Sequence, residues 1–361
     1  MPKIINCIKV PKKRGEKAIS LLSRLNLFDK SVEIKRNESF LCIPLVRPPI
    51  ERELLILQNQ LSGYYFTKEL FVKKQQSYEN FMQVLEKKLP PHLFSTLPQA
   101  LDIIGDIAVI EIPLELKTCQ NAIGEAILQT HGNIRTVLAK AGAISGPYRV
   151  RGYTFIAGEQ KTQTIHKEFG CQFHVDIAKA YFSPRLSYEH ERIAALVRAD
   201  ETVLDLFAGV GPFSVLIAKK NPKVKVYAVD INPEAVDLLK VNVRVNRVEN
   251  RVFPILGDAR QVSATKLKGT ANRIIMNLPE TAIEFVDAAC QAIKPEGGII
   301  HFYSFVRSPN TISNQKFSLV QAIENSGRKM GRYYSRNVRE TAPYESQIVL
   351  DAKIASFEHI A

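Results

Sequence analysis

The last part of this 361-residue chain is predicted to be an α/β domain with a mainly parallel, doubly wound sheet, preceded by two smaller α+β domains. Three observations predict it. From residue 188 onward, short apolar runs alternate with helical patterns, and such alternation requires right-handed crossovers between parallel strands. Val203, Leu204 and Leu206 form a buried-strand run that leads into a tight turn, Gly209-Val210-Gly211, and a helix opening near Pro212. Before residue 188 the strand and helix patterns mix without that alternation.

The elements follow in order. Residues 1–72 read as a small module: a strand over 4–10, an amphipathic helix over 15–27, and strands over 32–35 and 40–45 around Asn37-Glu38. Arg47-Pro48-Pro49 breaks the pattern. A polar run at 73–77 is a linker candidate and opens a middle domain over 73–187. Helices are expected there at 78–88, 91–96 and 114–130, and strands at 103–112, 134–138, 148–157, 162–168 and 172–176. The third domain, 188–361, has strands expected at 202–207, 225–229, 252–256, 273–276 and 299–305, with a closing hairpin strand at 347–352.

Composition bounds the function. A hydrophobic content of 45% is that of a globular protein with a real core. Lys and Arg exceed Asp and Glu by 49 to 36, a net charge of +13, which is the footprint of a polyanionic partner. The five cysteines (7, 42, 119, 171 and 290) form no CxxC pair, which argues against a zinc ribbon or disulfide framework, predicts no metal site, and fits a reducing cytoplasm. No apolar run reaches transmembrane length, and Lys3, Lys9, Lys12, Lys13 and Arg14 interrupt the N-terminus, so neither a signal peptide nor a membrane anchor is expected.

In a doubly wound sheet, ligands bind at the carboxyl ends of the strands. The first such end carries Asp205, Gly209 and Gly211, and glycines let the backbone approach a ligand where a Cβ would collide. The second carries Asp230-Ile231, an acid placed to accept from both ribose hydroxyls of an adenosine. The third, Gly257-Asp258-Ala259, offers an acceptor for an adenine amino group and an amide beside the ring. Each acid alone reads equally as a solvated strand end, but three in succession do not arise by chance. A nicotinamide site calls for GxGxxG, and Ser214 stands where the third glycine belongs. The run D-x-F-x-G-x-G from Asp205 to Gly211 instead resembles the first motif of Rossmann-like class I methyltransferases, which bind S-adenosyl-L-methionine (SAM). At the fourth strand end, Asn277-Leu278-Pro279 matches the N/D-x-P-x turn with which methyltransferases acting on planar nitrogens present acceptors to a base; the alternative is a helix N-cap.

Upstream, the runs YRVR (148–151), AGE, TIHKE (164–168) and YFSPR (181–185) precede DLFAGVGPFS, DINP, GDAR and MNLP. This order resembles the archaeal and eukaryotic tRNA (guanine-37-N1)-methyltransferase family, closely over residues 100–310 and more loosely elsewhere; residues 50–76 have no counterpart. The resemblance implies a monomeric cytoplasmic enzyme with two N-terminal RNA-recognition domains, the first checking the outer corner of tRNA. It implies transfer of the SAM methyl group to N1 of guanosine 37. Residue by residue, it implies Arg149 at guanine O6, Glu189 as general base and Asn277 holding the base, with Tyr181, Arg185 and Pro279 as further substrate contacts. It implies SAM contacts from His190, Asp205, Gly209, Gly211, Asp230, Ile231, Asp258, Ala259 and Asn277; many relatives carry Arg at the position of His190.

The chemistry wants the same residue types. Guanine N1 carries a proton, and its loss pushes negative charge onto O6, where an Arg donor stabilises it. A carboxylate raised in pKa by partial burial suits the general base. The bland alternatives are a first-turn helix acid for Glu189 and a solvated strand residue for Arg149. His166 reads best as a structural histidine, Lys167 as a phosphate contact, and Tyr181 and Phe182 either stack a flipped base or pack the core. Three rival functions remain: methyl transfer to a wyosine-pathway intermediate, aminocarboxypropyl transfer to it, or a tRNA-binding protein with a vestigial SAM fold.

Overall fold

The computed structural model describes residues 3–29, 32–37, 39–71, 81–98 and 100–356. The chain divides into two compact units, Met1–Glu79 and Asn80–Ala361.

The first unit holds β1 (Lys3–Pro11), α1 (Gly15–Arg24), β2 (Lys35–Arg36), β3 (Phe40–Pro44), α2 (Glu51–Gln60) and β4 (Tyr65–Phe71). Its antiparallel sheet runs β2-β3-β1-β4. Ile8, Val10, Ala18, Leu22, Ile43 and Leu57 are fully buried between the sheet and the helices. The strand expected at 32–35 is shorter, because Val32 turns in to pack with Cys7, Cys42 and Phe71. Of residues 50–76, expected above to have no counterpart, the described part supplies α2 and then β4, which pairs with β1 over seven residues and so completes the sheet. The linker candidate at 73–77 and Glu38 of the expected turn lie outside the described residues.

The second unit opens with α3 (Phe81–Glu86), β5 (Leu101–Ile104) and β6 (Ile107–Ile110). The apolar run over 103–112 is therefore a hairpin and not one strand. Gly105 makes the turn at φ +58°, and a Cβ there would lie 2.7 Å from the Ile165 carbonyl oxygen. A 3-10 turn over Leu114–Cys119 replaces the first part of the expected helix, and α4 (Gln120–Thr130) then crosses to β7 (Thr136–Ser145), parallel to β6. β8 (Val150–Gly158) closes this sheet in the order β5-β6-β7-β8.

The hairpin of β9 (Gln163–Glu168) and β10 (Cys171–Asp176) stands apart from both sheets. It is held by α7 (Pro233–Val245) and the residue after it. Asn242 Oδ1 accepts from the His174 amide at 2.7 Å, and Asn246 Oδ1 accepts from the Gln172 amide at 2.9 Å. Side-chain amides thus satisfy backbone groups that lack a strand neighbour.

α5 (Ser187–Leu196) leads into the large sheet of β11 (Thr202–Asp205), β12 (Lys225–Asp230), β13 (Val252–Leu256), β14 (Arg273–Met276), β15 (Gly298–Arg307), β16 (Met330–Ala342) and β17 (Glu345–Ile354). The order is β13-β12-β11-β14-β15-β17-β16, parallel through β15, with the final hairpin antiparallel. Between the strands lie α6 (Pro212–Lys220), α8 (Ala259–Thr265), α9 (Val286–Ala292) and α10 (Ile312–Asn325). One hydrophobic cluster joins Ile107, Leu138 and Phe173 to Val203, Leu216 and Val226, so the core runs continuously across residue 188. Among the described residues, no helix is long and apolar enough to cross a membrane.

Candidate active site

β11 ends in Asp205, and the chain then turns through Gly209 at φ +54° and Gly211 at φ +86°. The positive φ of Gly211 calls for glycine, and a Cβ there would also have to displace the end of the Leu239 side chain, 2.2 Å away. The turn is tied to the next strand end: the Gly209 amide donates to Asp230 Oδ2 at 2.6 Å, and the Asn232 amide donates to Oδ1 at 2.9 Å. Burial pushes the Asp230 carboxyl up, against those amide hydrogen bonds. Asp205 is fully buried; Ser214 Oγ donates to its Oδ2 at 2.8 Å, while Oδ1 has no hydrogen-bond partner among the described residues. Burial first, and the nearby Asp230 charge after it, push the Asp205 carboxyl up to about 7.

These features fit an adenosine-bearing cofactor. Two carboxylates, one with an orphaned oxygen, stand at adjacent strand ends beside a glycine turn, and the Ile231 side chain next to them is 46% exposed. Asp258 N-caps α8, its Oδ1 accepting from the Arg260 and Gln261 amides, so its other oxygen is the one left for an adenine amino group. Ala259 is buried in the first turn of α8. His190 is a different case. It is 1% exposed, with Nδ1 2.7 Å from Glu168 Oε1 and its ring edge-on to Phe213, the environment of a packed structural histidine. Among the described residues, no group of three His, Cys, Asp or Glu is arranged to hold a metal.

A second cluster surrounds Glu189, on the first turn of α5 and 1% exposed. Two arginines and a tyrosine hold its two oxygens. Arg192 Nε donates to both, at 3.1 and 3.0 Å, and its Nη2 lies 3.0 Å from Oε2; Arg336 Nη1 lies 3.0 Å from Oε1, and Tyr303 OH donates to Oε2 at 2.9 Å. Burial, with Glu189 beside it, pushes the Tyr303 phenol well up, so it stays a donor. Arg192 in turn grips Asp351 through Nη1 at 2.6 Å and Nη2 at 3.3 Å, and His301 Nδ1 lies 2.5 Å from Asp351 Oδ1. The His301 and Arg192 contacts outweigh burial and hold the Asp351 carboxyl down, at about 2. Glu189 is thus far more enclosed than a first-turn acid kept for the helix dipole.

Asn277 follows β14. Its Oδ1 accepts from Gln347 Nε2 at 3.2 Å, and Gln347 Oε1 accepts from Arg339 Nε at 2.8 Å. It caps no helix: Leu278 and Pro279 turn the chain, the Leu278 carbonyl accepts from the Thr281 and Ala282 amides, and Thr281 is the N-cap residue of the next turn. Arg149 sits in a tight turn at φ +52°, and its Nη1 donates to Glu280 Oε2 at 2.6 Å, three residues beyond Asn277. It is therefore engaged beside the MNLP turn and not a freely solvated strand residue. Arg339 also donates to Ser183 Oγ at 2.8 Å and Tyr181 OH at 3.3 Å. Tyr181 is 41% exposed, and a Cβ on Gly209 would lie 3.6 Å from its carbonyl oxygen, so the YFSPR run flanks the glycine turn. Phe182 instead packs on His166 and Phe173. His166 Nδ1 accepts from the Gly105 amide, a structural role. Arg185 is bound to Asp102 at 2.5 Å on β5.

Glu189 and Asn277 are thus linked through β16, where Arg336 holds Glu189 and Arg339 holds the Asn277–Gln347 pair, and Arg149 reaches the turn after Asn277 through Glu280. Arg192 carried a local signal, three residues after Glu189. Tyr303, Arg336, Arg339, Gln347 and Asp351 carried none.

Comparison with known proteins gives a consistent picture. Three family models match: the TRM5/TYW2 methyltransferase domain over residues 164–330, the TYW2 N-terminal domain over 81–162, and the tRNA methyltransferase 5 N-terminal domain over 7–53. The chain is 39% identical over 348 residues to the tRNA (guanine(37)-N(1))-methyltransferase Trm5b of Pyrococcus abyssi, covering 96% of this chain and 98% of that one. It is 36% identical over 255 residues to the tRNA 4-demethylwyosine(37)-methyltransferase Taw21 of Saccharolobus solfataricus, covering 70% of this chain and 93% of that one. Among solved structures it resembles aTrm5 in complex with tRNALeu, with a TM-score of 0.67 and 34% identity, over 96% of this chain and 99% of that one.

Proposed function

From the premise that this chain belongs to the tRNA (guanine-37-N1)-methyltransferase family, we propose that it methylates N1 of guanosine 37 in tRNA with SAM as donor, as a cytoplasmic monomer. The observation that carries this reading is that Arg149 contacts Glu280 and Asn277 contacts Gln347 beside the carboxyl end of β14, while Glu189 contacts Tyr303 on the neighbouring β15. When bound, SAM supplies the electrophilic methyl group. Asp230, at the end of β12, would hold the ribose, and the turn at Gly209 and Gly211 would lie against the cofactor.

Glu189 takes the proton from guanine N1. Hydrogen bonds from Arg192 and Tyr303 and the Arg336 ion pair fix the carboxylate, and one donor must give way when the base arrives. As N1 loses its proton, charge moves to O6, and Arg149 stabilises it there. Among the described residues Glu280 engages Nη1 of Arg149, so its guanidinium retains further donors for O6. Asn277 holds the base from the turn after β14. Tyr181, 41% exposed beside the glycine turn, has the area to stack on a flipped nucleoside. The net charge of +13 favours the polyanionic substrate. The wyosine reading is less well supported, because similarity to Taw21 covers 70% of the chain against 96% for Trm5b. The complete set Asp205, Gly209, Gly211, Asp230 and Asn277 argues against a vestigial fold.

Nucleoside mass spectrometry of tRNA treated with protein and SAM tests the reaction, with 1-methylguanosine at position 37 as the expected product. Glu189→Gln is expected to slow the single turnover by roughly 10²-fold, the range for a lost general base. SAM and tRNA affinities should hold within a few-fold, since the defect lies in the transition state. A near-normal rate in that variant would reduce Glu189 to a structural acid.

A further inference from the structure

The contacts of Asn277 determine which way its amide faces. Arg339 has only donors, so the Gln347 atom 2.8 Å from its Nε is oxygen. Gln347 is 1% exposed and planar, and its remaining end is therefore the amino group, which can only donate. The Asn277 atom that meets it at 3.2 Å is then oxygen. Arg339 is itself anchored by Ser183 Oγ and Tyr181 OH, so the relay starts from a fixed point. An amide that spends its oxygen on Gln347 has its amino group left to offer a ligand.

We propose that Gln347, oriented by Arg339, is a positioning residue that locks Asn277 as a hydrogen-bond donor toward the target base and so selects a purine with oxygen at C6. The inference rests on the reading that Asn277 holds the base. A 6-amino purine would bring donor against donor and leave both unpaired, which a site built on buried polar groups rejects strongly. A donor at this point also gains strength as O6 acquires charge, so the same contact serves selection and rate.

The test is a mutant cycle read by single-turnover methyl transfer. Gln347→Glu keeps the contact to Arg339 as an ion pair, but its second oxygen cannot donate. Asn277 must then turn its amino group toward residue 347 and present oxygen to the base. With guanosine at position 37, Gln347→Glu is expected to lose at least about tenfold in rate at saturating tRNA, with the SAM dissociation constant unchanged within about threefold. In an Asn277→Ala background the same substitution should add no further loss. The loss should be as large on tRNA carrying inosine at position 37, which keeps O6 and lacks the 2-amino group. A normal rate for Gln347→Glu overturns the proposal, as does an equal loss in the Asn277→Ala background, or a loss confined to guanosine. A normal rate for Asn277→Ala removes instead the reading on which the proposal rests. Should Gln347→Glu fail to fold, Gln347→Leu replaces it in the cycle, with an expected loss of about threefold to tenfold that vanishes without Asn277.

Discussion

Asp205→Asn is expected to make the cofactor-free protein more stable at pH 8 relative to wild type than it does at pH 5. In wild type the carboxyl is fully buried, one oxygen accepts from Ser214 Oγ, and the other has no hydrogen-bond partner although the Phe207 amide lies close by. Burial raises its pKa from 3.8 to about 7. A raised acid contributes stability that is fully present below the unfolded value and is lost as pH rises through the folded one. At about 1.4 kcal/mol for each tenfold change in proton affinity, the displacement from 3.8 to about 7 leaves wild type paying about 4 kcal/mol above pH 7. At pH 5 only about 1.5 kcal/mol of that has accumulated. Asn keeps the Ser214 hydrogen bond and cannot ionise; its buried amino group brings a penalty of about 1–3 kcal/mol that is the same at every pH. The difference between variant and wild type should therefore grow by roughly 3 kcal/mol from pH 5 to pH 8, which at about 2–4 °C per kcal/mol is roughly 6–12 °C in relative melting temperature. Thermal melts without SAM at both pH values measure it. A difference in melting temperature that does not change with pH would refute the argument that Asp205 is ionised under strain. SAM affinity should fall in the same variant, a cofactor site retained at the expense of stability.

Two further outcomes follow from the geometry. Asp230→Ala removes the ribose acceptor and leaves the Gly209 and Asn232 amides without their partner, so SAM binding should weaken by about 1–3 kcal/mol. Calorimetry checks it; tRNA affinity should barely move, and an unchanged SAM dissociation constant would refute the role given to that strand end. Deleting residues 1–79, a compact unit with its own core, should leave SAM binding and use of an anticodon stem-loop intact while affinity for full tRNA falls. Loss of SAM binding in the folded remainder would mean the domain boundary is misplaced.

How much of this was legible in the sequence depended on the range of the interaction. The turn at Gly209 and Gly211 is a local backbone requirement, and a residue free to adopt positive φ declares itself in the sequence. The acids Asp205 and Asp230 are likewise placed by the strands they end, and Asp258 by the helix it opens. Asp258 shows the ambiguity of such signals, since the residue type that suits an adenine amino group is also a strong N-cap, and one of its oxygens does cap α8. The run over 103–112 misled because apolar periodicity does not reveal a two-residue turn when flanking β5 and β6 are both apolar. Apart from Arg192, three residues after Glu189, what held Glu189 and Asn277 in place was out of reach. Arg192 meets Asp351 across 159 positions, Tyr303 meets Glu189 across 114, and Gln347 meets Asn277 across 70. In the sequence, β16 and β17 read only as a closing hairpin, because strand alternation says which face a side chain takes and not which partner it finds there. Residues implied to touch substrate were therefore visible through short motifs, whereas those that orient them come from the tail of the chain, where the antiparallel insertion of β17 between β15 and β16 brings distant charges onto one region. Precise orientation of a base and an amide needs buried polar partners with every donor matched, and only a completed sheet can supply them.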